Sequence, residues 1–124
     1  MGGQRGYPDI ILLPKIASYY KEEKLTEYRK RARKLFQRGE NEERLYLWRE
    51  AEIEFPNDLS VAHEVMFALQ SVNSKANADQ IISCGEKILA NSTDTALRDD
   101  ATLSLCYTYA DVGNIEEAKN MQRC

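Results

Sequence analysis

Apolar side chains recur every three or four positions through most of this chain, which is the spacing of one face of an α-helix. Trp48, Ala51 and Phe55 illustrate the pattern, and it continues through 59–72. No stretch shows sustained alternation with a period of two, the pattern of a half-buried strand. The sequence therefore predicts an all-α fold of about seven helices, paired as antiparallel hairpins and stacked in series as a short α-solenoid.

Turn-forming residues mark the predicted ends of the helices. Gly39 favours the left-handed conformation that terminates a helix, and Pro56 disfavours a helical Phe55. Polar segments around 73–77 and 91–94 separate later apolar stretches. The predicted helices cover 10–20, 21–38, 41–55, 59–72, 78–90 and 95–112, and a last one opens after Gly113-Asn114.

Small polar residues stand where N-caps are expected. Asn41 is predicted to cap the third helix, and either Asp58 or Ser60 the fourth. Asn114 and Glu117 have the spacing of a capping box, in which each side chain bonds the backbone N–H of the other residue. These positions predict where the third, fourth and last helices begin.

Length and composition indicate one folded domain. The chain has 124 residues, of which 30% are charged and 9% aromatic, unlike a disordered chain. No apolar run approaches the roughly 18 residues that span a membrane, so we expect no membrane association. Three cysteines without a CxxC pair indicate a reducing, cytoplasmic setting, with Cys84 and Cys106 buried as small apolar residues.

Charge is distributed unevenly although the net charge is only −3. Residues 21–38 carry eight basic and three acidic side chains, whereas 39–124 carry seven basic and sixteen acidic ones. The basic residues include a run that is a candidate for contact with DNA phosphates: Arg29, Lys30, Arg31, Arg33 and Lys34. A solvated helix face that pairs with the acidic body or with a neighbouring chain is the favoured alternative, because Tyr28, Ala32 and Leu35 account for the buried face.

The segment 10–20 is too apolar to form an isolated helix in water. Ile10, Leu13, Ile16, Ala17 and Tyr20 share one face at helical spacing. Such a stripe requires a partner, either elsewhere in the chain or in another molecule.

Candidate catalytic groups do not converge in the sequence. His63 is the only histidine, and its position near the face of Leu59 and Met66 favours a partly buried or surface structural role. One histidine and three scattered cysteines do not supply the closely spaced ligands of a zinc site. The chain is therefore predicted not to be an enzyme and to bind no cofactor.

Three pairs of neighbouring acids have a structural explanation. Each pair is expected to begin a helix, where the helix dipole favours negative charge: Glu42-Glu43, Asp99-Asp100 and Glu116-Glu117. There is also no Gly-rich phosphate-binding loop.

Two stretches carry residues at positions typical of the tetratricopeptide (TPR) repeat. Leu105-Cys106, Tyr109, Gly113 and Ala118 resemble one repeat, and Trp48, Ala51 and Pro56 resemble part of another. Cys106 replaces the usual Gly, Arg44 stands where a small residue is expected, and the middle repeat is about six residues longer than the usual period of about 34. The chain is thus TPR-like, and an irregular helical bundle is the alternative.

The first twenty residues resemble another family. Tyr7-Pro8-Asp9-Ile10, Leu12-Leu13 and Ile16-Ala17-Ser18-Tyr19-Tyr20 are similar to the fourth helix of the Cro/repressor-type (XRE) helix-turn-helix domain. The resemblance implies a remnant of that domain at 1–20, a TPR-like domain at 21–124, and a bacterial transcriptional regulator. The base-reading helices are absent, so the chain is a fragment, a chain with further segments, or a protein that has lost its DNA reader.

Together these resemblances imply a non-catalytic effector and dimerisation domain, a homodimer that reaches DNA only through a domain missing from this chain. A free-standing TPR-like adaptor that binds a protein or peptide is the alternative, and an enzyme is a distant third. The first helices of TPR-like hairpins line a concave groove, which implies candidate ligand-binding residues: Gln70, Asn73, Tyr107 and Tyr109.

Overall fold

The computed structural model describes residues 6–122, with side chains described for 14–121. Six helices form this part of the chain: α1 (Gly6–Gln37), α2 (Asn41–Glu54), α3 (Leu59–Asn73), α4 (Ala78–Asn91), α5 (Thr95–Asp111) and α6 (Ile115–Gln122). Each helix packs against the next in the chain, and α3 also contacts α5. Connections of three or four residues bring consecutive helices back alongside each other. The all-α prediction is confirmed.

The first two predicted helices are one continuous helix. α1 runs through Tyr20 and Lys21 without interruption, so the described residues contain six helices where about seven were expected. Residues 18–28 contain no glycine, proline or Asn/Asp cap, and nothing local stops the helix there. The apolar stripe of 10–20 and the mixed face of 21–38 look different in the sequence, but a change of composition does not end a helix.

Two glycines terminate helices as the sequence predicts. Gly39 has φ of 72° and Gly113 has φ of 85°, the left-handed region that glycine adopts without steric cost. The N–H of Glu40 then donates to the Leu35 carbonyl at 2.9 Å, and Asn114 bonds Tyr109 equivalently at 2.8 Å. Both ends are Schellman motifs, in which otherwise unpaired helix carbonyls are satisfied.

Side-chain caps begin several helices. Asp58 caps α3, since its Oδ1 accepts the Val61 N–H at 3.0 Å, which decides between the two predicted candidates. Asn114 accepts the Glu117 N–H at 3.2 Å and so begins α6 as predicted.

The predicted cap at Asn41 is wrong. Glu40 is the N-cap of α2, and Asn41 is already helical. The side-chain amide of Asn41 instead donates to the Ser71 carbonyl at 3.5 Å, a long contact that links α2 to the end of α3. A residue distant in the sequence therefore competes for this side chain.

The core lies where the neighbouring helices meet. Its largest fully buried side chains come from α1 to α5: Leu25, Trp48, Val61, Val65, Met66, Leu69, Ile81, Ile88 and Leu105. Cys84 and Cys106 are buried as predicted. α4 and α5 approach closely at Gly85, where an added Cβ would lie 2.8 Å from Cγ of Leu105.

Candidate functional site

The N-terminal part of α1 extends along the surface beyond its neighbouring helix. α1 has 32 residues and α2 has 14, about 48 and 21 Å of helix respectively. Among the described helices α1 packs only against α2. Residues 6–20, which we call the overhang, therefore extend past the body. Every side chain from Pro14 to Tyr20 is exposed, and Ile16 and Tyr19 are 57% and 67% exposed.

Two tyrosines attach α1 to the end of α2 where the overhang meets the body. The Tyr20 and Tyr28 hydroxyls donate to the two carboxylate oxygens of Glu54 at 2.8 and 3.0 Å. Burial and the Glu54 hydrogen bond raise the pKa of Tyr28 to about 12. The hydrogen bond from Tyr20 lowers the pKa of Glu54. These contacts fix the point at which α1 leaves the body.

An ion pair reinforces the same junction. Lys21 Nζ lies 2.8 Å from Oδ2 of Asp58, the N-cap of α3, and 5.8 Å from the centre of the Phe55 ring. Burial of the Asp58 carboxyl by itself raises its pKa. The ammonium of Lys21, with hydrogen bonds from Ser60 and the Val61 amide, overcomes this effect and lowers the pKa to about 2.

The basic run lies on α1, with all five side chains exposed. None of them forms an ion pair with another residue in the described part of the chain. Arg31 and Lys34 line a cleft that also contains Glu43 and Glu50 of α2, and the role of the run stays a prediction. The other members divide between different faces of the helix, so the run does not form one continuous strip. Arg29 and Arg33 face another cleft, and Lys30 lines a third one along α1.

A second cleft, between α1, α2 and α3, contains two unpaired buried donors. Arg44 is 8% exposed; its Nη2 donates to Ser71 Oγ at 2.7 Å, and its guanidinium lies 5.0 Å from the Phe36 ring centre. Nε of Arg44 and Nε1 of Trp48 have no hydrogen-bond partner among the described residues. An unpaired buried donor costs about 1–3 kcal/mol, so this arrangement is unfavourable as it stands.

The electrostatics of Arg44 follow from its position. Burial lowers the pKa of its guanidinium, and the nearby Glu64 carboxylate acts in the opposite direction. The sequence marked Arg44 only as a departure from the small residue of a TPR-like repeat. The residues around Arg44 come from three helices, and helical spacing alone does not predict how those helices pack.

His63 is partly buried, in agreement with its predicted structural role. Its Nε2 lies 2.9 Å from Asp100 Oδ2, and its ring meets Phe67 edge-on at 4.6 Å. The prediction that the pair Asp99-Asp100 begins a helix is wrong, because α5 begins at Thr95. Asp100 instead connects α5 to α3, whereas the two other acid pairs do lie in first turns.

The predicted groove residues lie on alternate helices, Gln70 and Asn73 on α3 and Tyr107 and Tyr109 on α5. Tyr107 is exposed, whereas the Tyr109 hydroxyl donates to Glu86 at 3.0 Å. Asn73 accepts the Ala76 N–H at 2.9 Å in the turn after α3. None of the four lines either cleft described above, and their role in ligand binding stays a prediction.

Within the described residues, no group of three or more His, Cys, Asp or Glu side chains could hold a metal ion. Burial raises the pKa of the Cys84 thiol, which favours the unreactive protonated form. Cys124 lies outside the described residues. None of the helices in the described range is both long and apolar enough to cross a membrane.

Comparison of the chain with protein families, curated proteins and solved structures finds no match. The resemblances to TPR repeats and to the Cro/repressor-type domain therefore remain hypotheses carried by the residues that suggest them.

Proposed function

We propose that this chain is a non-catalytic effector and dimerisation domain of a DNA-binding transcriptional regulator, built from TPR-like hairpins. The observation that carries the proposal is the overhang of α1, an apolar helical segment whose described side chains, Pro14 to Tyr20, are all exposed and which joins the body through the Tyr20–Glu54 hydrogen bond. Large exposed apolar segments of this kind mark contact surfaces.

The overhang gains stability from a partner for two reasons. Helical segments of about 12–15 residues are marginal in water on their own. Covering a large apolar side chain such as Ile16 contributes about 1.5–3 kcal/mol. Ile16, Tyr19 and Tyr20 all have more than half of their surface exposed, so a partner on this face would cover each of them.

A second copy of the chain is the occupant that the charges favour. Residues 6–20 contain one acidic and one basic side chain, Asp9 and Lys15, whereas 21–38 are strongly basic. If two overhangs pair antiparallel, the neutral segments meet and the basic halves lie at opposite ends. Parallel pairing would bring the basic halves together, at an electrostatic cost. The antiparallel arrangement has the two-fold symmetry common among homodimers.

Such a dimer has a direct use in a regulator. Helix-turn-helix dimers read two half-sites about one helical turn of DNA apart, so the contact between protomers sets the separation of the readers. The resemblance within residues 7–20 favours a DNA-reading domain joined at this end of α1. DNA would be reached through that domain, with the basic run as a candidate for additional phosphate contacts.

Sedimentation equilibrium over a range of protein concentrations tests the dimer. We expect the mass to approach twice the 14.2 kDa of one chain. Ile16→Lys, which places a charge on the overhang of both copies, should raise the dissociation constant at least about tenfold. Ile53→Lys is the matched control, because Ile53 is 81% exposed on α2, outside the overhang.

A mass of 14.2 kDa at every concentration would overturn the proposal and favour the adaptor alternative. Equal weakening by Ile16→Lys and Ile53→Lys would exclude the overhang as the contact surface. Circular dichroism of each variant establishes that the helices are retained.

A further inference from the structure

We propose that the cleft between α1, α2 and α3 is a binding site for a small phosphate monoester, held by Arg29, Arg33 and Arg44. The cleft has a volume of about 230 Å³, and Trp48, Phe36, Ala32 and Glu64 complete its lining. At about 30 Å³ per water molecule, it has room for a phosphate group and a few further atoms.

The positions of the arginines follow from helical geometry. Arg29 and Arg33 are four residues apart and share one face of α1. Arg44 and Trp48 are four residues apart on the facing side of α2, and both are buried. Arginine offers several N–H donors in a planar arrangement that matches the oxygens of phosphate.

The charge of the cleft favours a dianion. Three guanidinium groups and the single carboxylate of Glu64 leave two positive charges among the lining residues. A phosphate monoester carries close to two negative charges at neutral pH. A single carboxylate would neutralise only half of this excess, so phosphate is the better match.

The unpaired donors give the second and independent observation. Nε of Arg44 and Nε1 of Trp48 are buried N–H groups without a partner among the described residues, and both side chains line this cleft. Phosphate oxygens are strong acceptors that would satisfy both donors. The Phe36 ring lies over the Arg44 guanidinium but is 60% exposed, and exposed side chains change rotamer within nanoseconds. Phosphate would reach these buried donors after the ring moves aside.

This inference does not depend on the proposed dimer. Arg29 lies nine residues beyond the end of the overhang, about 14 Å along α1. A monomeric protein could bind phosphate, and a dimer could form without it.

The single tryptophan of the chain lies in the cleft and provides a direct readout. We would titrate the full chain with inorganic phosphate and with O-phosphoserine at constant ionic strength, and record Trp48 fluorescence and the NMR resonance of its indole N–H. Saturable changes in both signals are expected, with a shift of the indole proton as it gains a hydrogen bond. Malonate, a dianion with carboxylate oxygens, is titrated in the same way to compare a dicarboxylate with phosphate as the ligand.

Arg33→Gln is expected to weaken phosphate binding about tenfold, because it removes a charge-assisted donor without touching the core. Arg31→Gln is the matched control: it makes the same charge change on the same helix, but Arg31 lines the other cleft. Its effect should stay within about twofold, since separated surface charges are screened by salt.

Three outcomes would overturn the proposal. Trp48 signals that do not saturate with either phosphate compound would show that there is no site. Equal weakening by Arg31→Gln and Arg33→Gln would show only general attraction of anions to α1. Binding of malonate as tight as that of phosphate would exclude phosphate as the specific ligand chemistry.

Discussion

At the scale of single residues, Asp58 connects local and long-range structure. It caps α3 through the Val61 N–H and pairs with Lys21 of α1. The pKa of Asp58 in the folded protein, about 2, lies below that of an unfolded aspartate, about 3.9. The stabilisation is therefore complete above pH 4 and is lost as the pH falls through about 2.

Asp58→Asn should accordingly lower the free energy of unfolding by about 1–2 kcal/mol at neutral pH, since asparagine keeps the cap but loses the ion pair. The difference from the wild type should disappear near pH 2. Urea unfolding across this range provides the measurement. Asp94→Asn, the same change at the cap of α5, is the control and should show a smaller dependence on pH, because Asp94 forms no ion pair with another described residue. A constant difference between wild type and Asp58→Asn from pH 7 to 2 would contradict this account.

Arg44 presents the opposite case, a buried charge with one unpaired N–H donor. Arg44→Met keeps apolar volume and removes an unpaired donor, so we expect stability in phosphate-free buffer to rise by about 1 kcal/mol. Thermal unfolding with and without phosphate tests this prediction: phosphate should stabilise the wild type but not the variant. A variant clearly less stable than the wild type would show that the bond from Arg44 to Ser71 supports the fold.

At the scale of helices, the contact of α4 with α5 depends on one missing side chain. In Gly85→Ala the new Cβ would meet Leu105 at 2.8 Å in a buried site. Overpacking costs about 1–3 kcal/mol, and the better helix propensity of alanine offsets at most about 1 kcal/mol. We expect a net loss of about 1 kcal/mol, measured by urea unfolding.

A double-mutant cycle separates these two effects. In a Leu105→Ala background the steric conflict is absent, and Gly85→Ala should stabilise by about 0.5–1 kcal/mol through helix propensity alone. The same destabilisation in both backgrounds would mean that the contact between the helices does not explain the glycine.

The helices also show which parts of the fold could be predicted from the sequence. Their ends at Gly39 and Gly113 follow from local backbone preferences, so the sequence located them correctly. Local reasoning failed where the decisive partner was distant in the chain. Asn41 bonds Ser71 instead of capping α2, and Asp100 meets His63 instead of beginning α5. The segments 10–20 and 21–38 differ in composition, which predicts a boundary between two helices. In the structure they belong to one helix, because no residue between them ends it.

The candidate sites could be predicted from the sequence only in part. The apolar stripe and basic run were apparent from spacing along α1, since both belong to one helix. The cleft around Arg44 could not be predicted, because it requires the relative placement of α1, α2 and α3.

At the scale of the whole molecule, the uneven charge distribution predicts behaviour toward DNA. If the basic run contacts phosphates, binding of random duplex DNA should weaken steeply with salt. In a plot of the logarithm of the binding constant against the logarithm of the salt concentration, each phosphate contact makes the slope steeper by about 0.9. Lys30→Gln should reduce the slope by about that amount, and Lys75→Gln, an exposed change between α3 and α4, should leave it unchanged. Absence of DNA binding even at low salt would favour pairing of the run with acidic surfaces.

In the proposed dimer, two copies of the chain meet through the overhang of α1. Hydrogen exchange followed by mass spectrometry at low and high protein concentration tests it most directly. In a monomer the backbone amides of residues 6–20 should exchange quickly, since the described side chains of this segment, Pro14 to Tyr20, are all exposed to solvent. We predict that their exchange slows markedly as concentration rises, whereas peptides from α3 and α4 do not change. Exchange in residues 6–20 that is the same at all concentrations would contradict the account.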